Sequence, residues 1–147
     1  MDAVSTSKVS VRGHIWGELD ASVGEAAGTQ VLLTNSHAPH SFTRIIVADC
    51  MWMDWQHENL CSSIAHFLEQ KHGELLAIAG FHTGRPKVVN FFKECEKAGL
   101  CLIGTIVEKD VDGVEREWCE DRGLEDVIER KRWLTISKFR LGRNNEE

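Results

Sequence analysis

The sequence predicts an α/β fold in which a mainly parallel sheet is flanked by helices. Two stretches, residues 45–48 and 74–81, are almost continuously apolar, which is typical of strands that are covered on both faces. Each is followed by a segment with apolar residues at three- and four-residue spacing, which is typical of a helix with one buried face. Strands that alternate with helices favour parallel pairing and helices packed on the sheet.

The first forty residues have the least regular pattern. Residues 1–8 are polar or small, and we expect a loose tail there. Residues 9–15 alternate apolar and polar side chains, which predicts a half-buried strand. Residues 18–43 are rich in Gly, Ala, Ser, Thr and His, and they are compatible with two short helical turns or with a plain loop. The short apolar run in this stretch spans residues 30–33.

The middle of the chain has a clear strand and helix pattern. Residues 44–50 predict a buried strand that ends in a carboxylate, and residues 56–70 predict a helix. Residues 74–81 predict the next strand. Residues 85–98 predict a second helix, because a proline lies in the first turn and Gly99 follows the last turn.

The last third predicts further strands and a tight turn. Residues 100–109 predict a third strand of this central part. Residues 110–113 contain an Asp-Gly pair, which is typical of a turn between antiparallel strands, so residues 114–119 can return as a short strand. Residues 120–131 are charged and predict a loop or short helix. Residues 132–139 alternate, which predicts a last strand with one face or edge exposed.

Length and charge narrow the function classes. The chain has 147 residues, the size of one domain, which we assign to residues 9–147. A formal net charge of −6 argues against nucleic-acid binding through bulk charge. No stretch approaches the roughly 18 apolar residues of a membrane span, and the first residues have no apolar core of a secretory signal. We therefore expect a cytoplasmic protein without a nucleic-acid or membrane partner.

Metal, thiol and nucleotide sites have weak support in the sequence. The five cysteines include no C-x-x-C pair, which favours reduced thiols over disulfides. His57 and Cys61 lie four residues apart on one helix face that zinc could use, but no second close pair completes a ligand set. Cys50 and His57 could form a thiol–base pair, but nothing supplies an oxyanion hole. Neither G-x-G-x-x-G nor a P-loop is present.

Aromatic and titratable residues collect where the predicted strands end. Trp16 follows the first strand, Asp49 and Trp52 follow the second, and His82 follows the third. Ligands of open parallel sheets bind outside the carboxyl ends of the strands. An acid near aromatic rings suits a cationic or flat ligand, because ring faces attract positive charge and stack on planar groups. The alternative is that both tryptophans are core residues.

Several segments together resemble a known family. They are IIVADCMWMDWQHENLCSSIAHFL, AGFHTGR, DGVEREW and ERKRWLTISKFR, and VRGHIWG is similar to the family's V-x-G-H-x-W-G. They resemble the carboxyl-terminal half of fungal proteins described as nicotinamide N-methyltransferases. These belong to the lysine-methyltransferase-like branch of the seven-strand, S-adenosylmethionine-dependent methyltransferases. The resemblance runs from residues 9–15 to the end of the chain, and residues 18–43 match poorly.

The resemblance implies S-adenosylmethionine as cofactor and assigns residues to it. Trp16 matches the tryptophan beside the adenine of the cofactor, and Ala48 and Asp49 match the strand end that lines the cofactor. Asp49 and Trp52 occupy a D-x-x-aromatic motif that faces the methyl-accepting amine and that carries Tyr or Phe in most members. His82, at the next strand end, is assigned to the substrate. The implied acceptor is a protein amine, such as a lysine or the amino terminus of translation elongation factor 1-alpha, or nicotinamide.

The sequence departs from the family in its first part. The family's glycine-rich first motif, and the acidic residue that binds the ribose, have no counterpart here. The chain is therefore similar to the second half of a class I, Rossmann-like methyltransferase fold, as a truncated gene model, a degenerate paralogue or a fragment that works with a partner would be. One alternative function is a catalytically inactive binding or regulatory module, and an unrelated small α/β domain is another. In the family the strand from Arg44 to Asp49 pairs with the missing first strand, so we expect an open edge there and self-association through it.

Overall fold

The protein has an α/β fold built on an open six-stranded sheet. The computed structural model describes residues 8–20 and 37–142. The predicted tail and most of residues 18–43, including the apolar run 30–33, lie outside the described residues. The helices are α1 (His57–Phe67), α2 (Arg85–Lys97) and α3 (Val127–Arg130), and the strands are β1 (Arg44–Ala48), β2 (Glu74–Ala79), β3 (Leu100–Leu102), β4 (Val107–Lys109), β5 (Glu115–Glu117) and β6 (Leu134–Leu141).

The pairing of the sheet differs from the predicted mainly parallel arrangement. The strand order is β1-β2-β6-β4-β5, and β3 also pairs with β6. Only β1 and β2 are parallel among the described strands, and the other pairings are antiparallel. The rule that alternating strands and helices give parallel pairs therefore holds for β1–α1–β2. Strand β6 has the alternating burial of an antiparallel strand. It lies between β2 on one side and the strands β3 and β4 on the other, each of which pairs with β6.

Strand β1 is an end strand of the sheet, and it is not covered on both faces as predicted. It pairs with β2 in register from Arg44 opposite Glu74 to Ala48 opposite Ile78. Val47 is its buried residue, whereas Ile46 is 67% exposed. The physical reason is that α1 and α2 contact each other and pack on the same face of the sheet, so no helix within residues 8–20 and 37–142 covers Ile46 on the opposite face.

The core lies between the two helices and one face of the sheet. The predicted apolar stripe of α1 is buried as expected, although α1 ends at Phe67 because Leu68 turns into an extended conformation and bridges to Phe42. In α2 the buried stripe includes Phe91, which the sequence analysis did not select. The buried core residues are Val47, Met51, Leu60, Cys61, Ile64, Leu68, Leu75, Ala77, Ala79, Val88, Phe91, Cys95, Leu100 and Phe139.

Two thiols join the helices inside this core. Cys61 Sγ of α1 and Cys95 Sγ of α2 are 3.7 Å apart, and both side chains are buried. The contact with Cys61, together with burial, raises the pKa of the Cys95 thiol. The Cys95 thiol therefore stays protonated, and both cysteines pack as small apolar side chains.

The predicted strand at residues 9–15 is wrong. Val9 and Val11 are 91% and 87% exposed, so the alternating pattern does not correspond to a buried face. The segment instead runs over α1, where Ser63 Oγ accepts a hydrogen bond from the Gly17 N–H at 2.8 Å and pairs with His14 Nε2 at 2.8 Å. The attachment is made by side chains of a helix, so strand periodicity does not report it.

The third predicted central strand is present in two pieces. Strands β3 and β4 both pair with β6, and the intervening residues 103–106 interrupt the ladder. The predicted Asp-Gly turn is confirmed, since Gly113 has φ +83° and Asp110 Oδ1 accepts hydrogen bonds from the Asp112 and Val114 N–H groups. The turn leads into β5, which confirms the short antiparallel return strand.

A buried carboxylate holds the second half of the sheet together. Glu108 of β4 is 3% exposed. Its oxygens contact Arg85 Nη2 at 2.7 Å, Arg116 Nε at 2.9 Å and Arg122 Nη2 at 2.9 Å. Glu125 accepts two further hydrogen bonds from Arg85, so the loop after β5 is tied to the start of α2. Buried charges of this kind are stable only while they are paired.

Replacing Glu108 should strongly destabilise the fold. Glu108→Ala leaves three guanidinium groups without their shared carboxylate, and removal of one partner from a buried ion pair costs about 3–5 kcal/mol. The control is Glu120→Ala at an exposed loop position, which should change the free energy of unfolding by less than about 0.5 kcal/mol. Urea denaturation of both variants measures the difference. Equal stability of the two variants would show that the cluster does not support the fold.

The open edge of β1 should make the protein self-associate. Edge strands with exposed apolar residues pair with other chains. We expect size-exclusion chromatography to show association that rises with concentration, and Ile46→Lys to reduce it. The control is Val111→Lys in the hairpin turn, because Val111 is 92% exposed but lies far from this edge in the sheet order. A monomer at high concentration, with slow hydrogen exchange at residues 45–48, would mean that another element covers the edge.

Candidate functional site

The candidate site begins where the chain leaves β1. Asp49 follows the strand directly, and its N–H donates to the Ile78 carbonyl of β2 at 2.8 Å, so the ladder extends one residue beyond the strand. Asp49 then adopts φ +60°, a left-handed conformation that Asp tolerates better than most residues. This turn directs the carboxylate outward, and 56% of the side chain is exposed. Ala48, just before it, is also exposed.

His82 meets Asp49 across the ends of the two parallel strands. It lies in a 3-10 helix, Phe81–Thr83, which begins after β2. His82 Nε2 is 3.0 Å from Asp49 Oδ1. A Cβ atom on Gly80 would lie 3.1 Å from the His82 ring and 3.4 Å from Asp49 Oδ1, so a side chain at this position would crowd the pair. The structure therefore brings these two residues, which the sequence placed at successive strand ends, into direct contact.

Trp52 lies beyond Asp49 on a short turn and contacts another tryptophan. Its ring is 41% exposed and packs edge-to-face on Trp55, with ring centroids 5.9 Å apart. Trp55 lies in the 3-10 helix Asp54–Gln56. Lys87 of α2 fixes the turn, because its Nζ donates to the Trp52 carbonyl at 2.8 Å and pairs with Asp54 at 3.3 Å. Trp52 and Trp55 thus form a partly exposed aromatic pair on the segment that follows Asp49.

Trp16 is positioned from another direction, by a turn that rests on α1. Gly17 has φ +85°, a conformation that favours glycine, and a Cβ atom there would lie 2.6 Å from Asn59 Oδ1 and displace that side chain. Trp16 is partly buried and packs against the core. It borders a groove of about 440 Å³ between residues 10–16, α1 and β1. Apolar side chains such as Ile46, Leu60 and Phe67 form much of its wall.

The predicted site residues therefore divide into two groups. Asp49 and His82 form a direct pair, with Trp52 on the adjoining turn. Trp16 lines the groove together with Cys50 and Val47, which follow and precede the Ala48–Asp49 strand end. Ala48 and Asp49 are not among the residues that line this groove. The two groups lie around the end of β1 and do not form one pocket within the described residues.

The alternative zinc and thiol sites are not supported. His57 is buried, its Nε2 pairs with the Met51 carbonyl at 2.7 Å, and its Nδ1 pairs with Asn90 at 2.8 Å. Cys61 contacts Cys95. Burial, and then the charge of Asp49, raise the pKa of the Cys50 thiol, which opposes thiolate formation. In residues 8–20 and 37–142, no group of three or more His, Cys, Asp or Glu side chains could hold a metal ion.

The sequence analysis missed three residues that shape the site. Trp55 is 66% exposed, Glu18 follows the Trp16–Gly17 turn, and Gly80 provides room for His82. The signal for Trp55 was present in the spacing Trp52-x-x-Trp55, which a short 3-10 turn places on one side. Nothing in the local sequence indicates that Glu18 and Trp55 border the same cleft, because distant segments bring them together.

Comparison with known proteins does not assign a family. A scan against protein-family models gives no match for this chain, and a search of curated proteins also finds no match. In the part of the chain that the structure describes, no helix has the length and apolar character needed to cross a membrane.

The attachment of residues 10–17 should weaken as the pH falls. Burial lowers the pKa of His14 below its ordinary value of 6.5, His66 lowers it further, and Glu18 partly opposes this. In the unfolded chain His14 binds its proton at a higher pH than in the folded chain. The free energy of unfolding should therefore fall once the pH drops below about 6.5, and it should stop falling below the folded pKa.

The test compares His14→Gln, which stays neutral and can still pair with Ser63, with the wild type between pH 7.5 and pH 5. Chemical denaturation should show a smaller loss of stability in the variant. His72→Gln at an exposed turn position is the control, and it should follow the wild type. Parallel curves for all three proteins would contradict the role of His14. His66, whose pKa burial also lowers, accounts for residual pH dependence in the variant.

Proposed function

We propose that this protein is a cytoplasmic, N-methyltransferase-like protein that depends on S-adenosylmethionine. It binds an amine of its substrate and orients that amine for methylation. The observation that carries the proposal is the exposed Asp49–His82 pair at the shared end of two parallel strands, with Trp52 beside it. The β1–α1–β2 unit is the part that we relate to the second half of a class I, Rossmann-like methyltransferase fold. The proposed acceptor is a protein amine, such as a lysine or the amino terminus of translation elongation factor 1-alpha, or nicotinamide.

The pair can orient an amine and take up its proton. Asp49 Oδ1 is engaged by His82, which leaves Oδ2 for an amine N–H or ammonium group. A neutral His82 ring can accept the proton that the amine must lose before its lone pair attacks, and the adjacent carboxylate stabilises the resulting imidazolium. The exposed ring of Trp52 tolerates a cationic group near the amine. Holding the amine in one orientation is the main contribution of these residues.

The residues present fit only one part of the proposed cofactor. S-adenosylmethionine supplies an electrophilic methyl group and carries a flat adenine, and Trp16 at the edge of the 440 Å³ groove is suited to stack on that ring. The groove residues in the described part of the chain include Arg12 and Arg44 but no carboxylate that could bind ribose hydroxyls. No glycine-rich phosphate-type loop occurs in the sequence. We therefore derive no step through the cofactor.

The groove beside β1 favours a second candidate function, a catalytically inactive binding or regulatory module. A groove with apolar walls and basic ends, beside an open strand edge, is suited to hold an extended chain segment. In this case the Asp49–His82 pair recognises a cationic side chain without transferring a group to it. The two candidate functions share the site and differ in whether methyl transfer occurs.

Asp49→Asn should reduce methyl transfer without weakening cofactor binding. We expect calorimetry to give an affinity for S-adenosylmethionine weaker than low micromolar, because several polar contacts to ribose and methionine are missing. At excess labelled cofactor, with elongation factor 1-alpha or nicotinamide as acceptor, Asp49→Asn should slow transfer about a hundredfold. Trp16→Ala should instead weaken cofactor binding first. Asp112→Asn in the exposed hairpin turn is the matched control.

Three outcomes distinguish the possibilities. No transfer by the wild-type chain to either acceptor would exclude the enzyme and favour the binding module. Matching losses of cofactor affinity in Asp49→Asn and Trp16→Ala would show that the two groups of residues have been assigned to the wrong ligands. Low-micromolar cofactor binding by the wild type would contradict the poor fit of the groove.

A further inference from the structure

A second cleft, separate from the Asp49–His82 pair, lies between the Trp16–Gly17 turn and the 3-10 helix. Its volume is about 490 Å³, within the roughly 300–1,000 Å³ of small-molecule pockets. Its walls include Trp16, Met53 and Trp55. Trp55 is 66% exposed, and a large exposed aromatic ring that borders a cleft is a common mark of a binding surface.

The walls of the cleft are held in place before any ligand arrives. The Gly17 N–H donates to Ser63 Oγ at 2.8 Å, and the Glu18 N–H donates to the Ile15 carbonyl at 3.0 Å. On the other side, the Gln56 N–H donates to the Met53 carbonyl at 2.9 Å and closes the turn that carries Trp55. A preorganised cleft loses less conformational entropy when it binds a ligand.

The charge of the cleft favours a cation. Glu18 is the one lining residue that carries a full charge at neutral pH, and no lysine or arginine is among the lining residues that the structure describes. His14 also lines the cleft, and burial lowers its pKa, which disfavours the positively charged form. Tryptophan faces attract positive charge, most strongly where water is excluded. Two tryptophans and a carboxylate thus present negative potential from several sides.

The hydrogen-bonding state of the walls favours a methylated cation over a primary ammonium group. Apart from the Glu18 carboxylate, the walls offer few strong acceptors, because the indole rings and the Met53 thioether accept hydrogen bonds weakly and Gln56 Oε1 already uses one of its two lone pairs on Asn59 Nδ2, at 3.0 Å. A primary ammonium group has three N–H donors that must be satisfied, and it loses strong hydration on binding. A group with N-methyl substituents has fewer donors, and its methyl groups pack against rings and the Met53 thioether.

We propose that this cleft binds a methylated ammonium group, held between Trp16 and Trp55 and paired with Glu18. The group can come from an N-methylated lysine side chain of a protein or from a free quaternary ammonium compound. The inference does not depend on methyl transfer, since binding is expected without any cofactor. It shares Trp16 with the proposed cofactor groove, but its tests change Trp55 and Glu18, so the two proposals can fail separately.

The experiment is calorimetric titration of the full chain with four probes: a trimethyl-lysine peptide, the same peptide with unmodified lysine, choline and tetramethylammonium. We expect the trimethylated peptide to bind at least tenfold more tightly than the unmodified peptide. Trp55→Ala should weaken binding of the methylated ligand about tenfold, a factor between those of fully exposed and fully desolvated cation–π contacts. Trp55→Phe should retain part of the affinity.

Glu18→Gln and Glu120→Gln form a matched pair, because both change the net charge by one unit and both positions are exposed. Glu18→Gln should weaken binding severalfold, and Glu120→Gln should leave it unchanged. If choline and tetramethylammonium bind as tightly as the trimethylated peptide, the site recognises the free cation. If the trimethylated peptide binds more tightly, the site recognises a modified lysine of a protein.

Equal binding of methylated and unmodified peptides, or unchanged affinity in Trp55→Ala, would overturn the proposal. Absence of binding of all three methylated probes at millimolar concentration would also overturn it. Thermal unfolding of each variant, alongside the wild type, identifies losses of affinity that come from misfolding.

Discussion

The parallel pairing of β1 with β2 is the contact on which both the core and the candidate site depend. It places the ends of the two strands side by side. The hydrogen bond from the Asp49 N–H to the Ile78 carbonyl extends the same register one residue beyond β1. The buried residues of the same strands form the floor on which α1 and α2 pack. A shift of one residue in the pairing would therefore expose that floor and also separate Asp49 from His82.

Helix α1 is the second organising element, because it fixes the segments on both sides of the site. At its start, His57 holds the Met51 carbonyl and so positions the turn that carries Trp52. In its middle, Ser63 holds the turn that carries Trp16. Two tryptophans from distant parts of the chain are thus held in position by the same helix. Neither turn needs regular secondary structure of its own.

The sequence was most informative where a side chain's own burial decides the structure. The spacing of apolar residues predicted both long helices, and the Asp-Gly pair predicted the turn before β5. The meeting of Asp49 with His82 was also predictable, since parallel strands end at one edge. Periodicity reports how deeply a residue is buried, but not which partner covers it. For that reason the direction of β6, the exposure of Ile46 and the arginines around Glu108 were not predictable from local pattern.

The resemblance to methyltransferases and the geometry of the structure both select Asp49, for different reasons. The resemblance selected Asp49 and Trp52 from a motif, whereas the geometry singles out Asp49 by its left-handed backbone and its histidine partner. Trp55 and Glu18 come from the geometry alone. The groove beside β1 has walls suited to a flat apolar group, and its described residues offer no carboxylate to ribose hydroxyls.

Four of the five cysteines fall into two classes of accessibility, and the difference makes the opening of the core measurable. Cys101 and Cys119 are exposed, so a thiol-specific reagent reaches them in the folded chain. Cys61 and Cys95 are sealed between the helices. Their modification requires α1 and α2 to part, so its rate follows the opening of the core and not the chemistry of the thiol. Labelling kinetics on the unmodified protein would thus report the lifetime of its helical layer residue by residue, without an added probe.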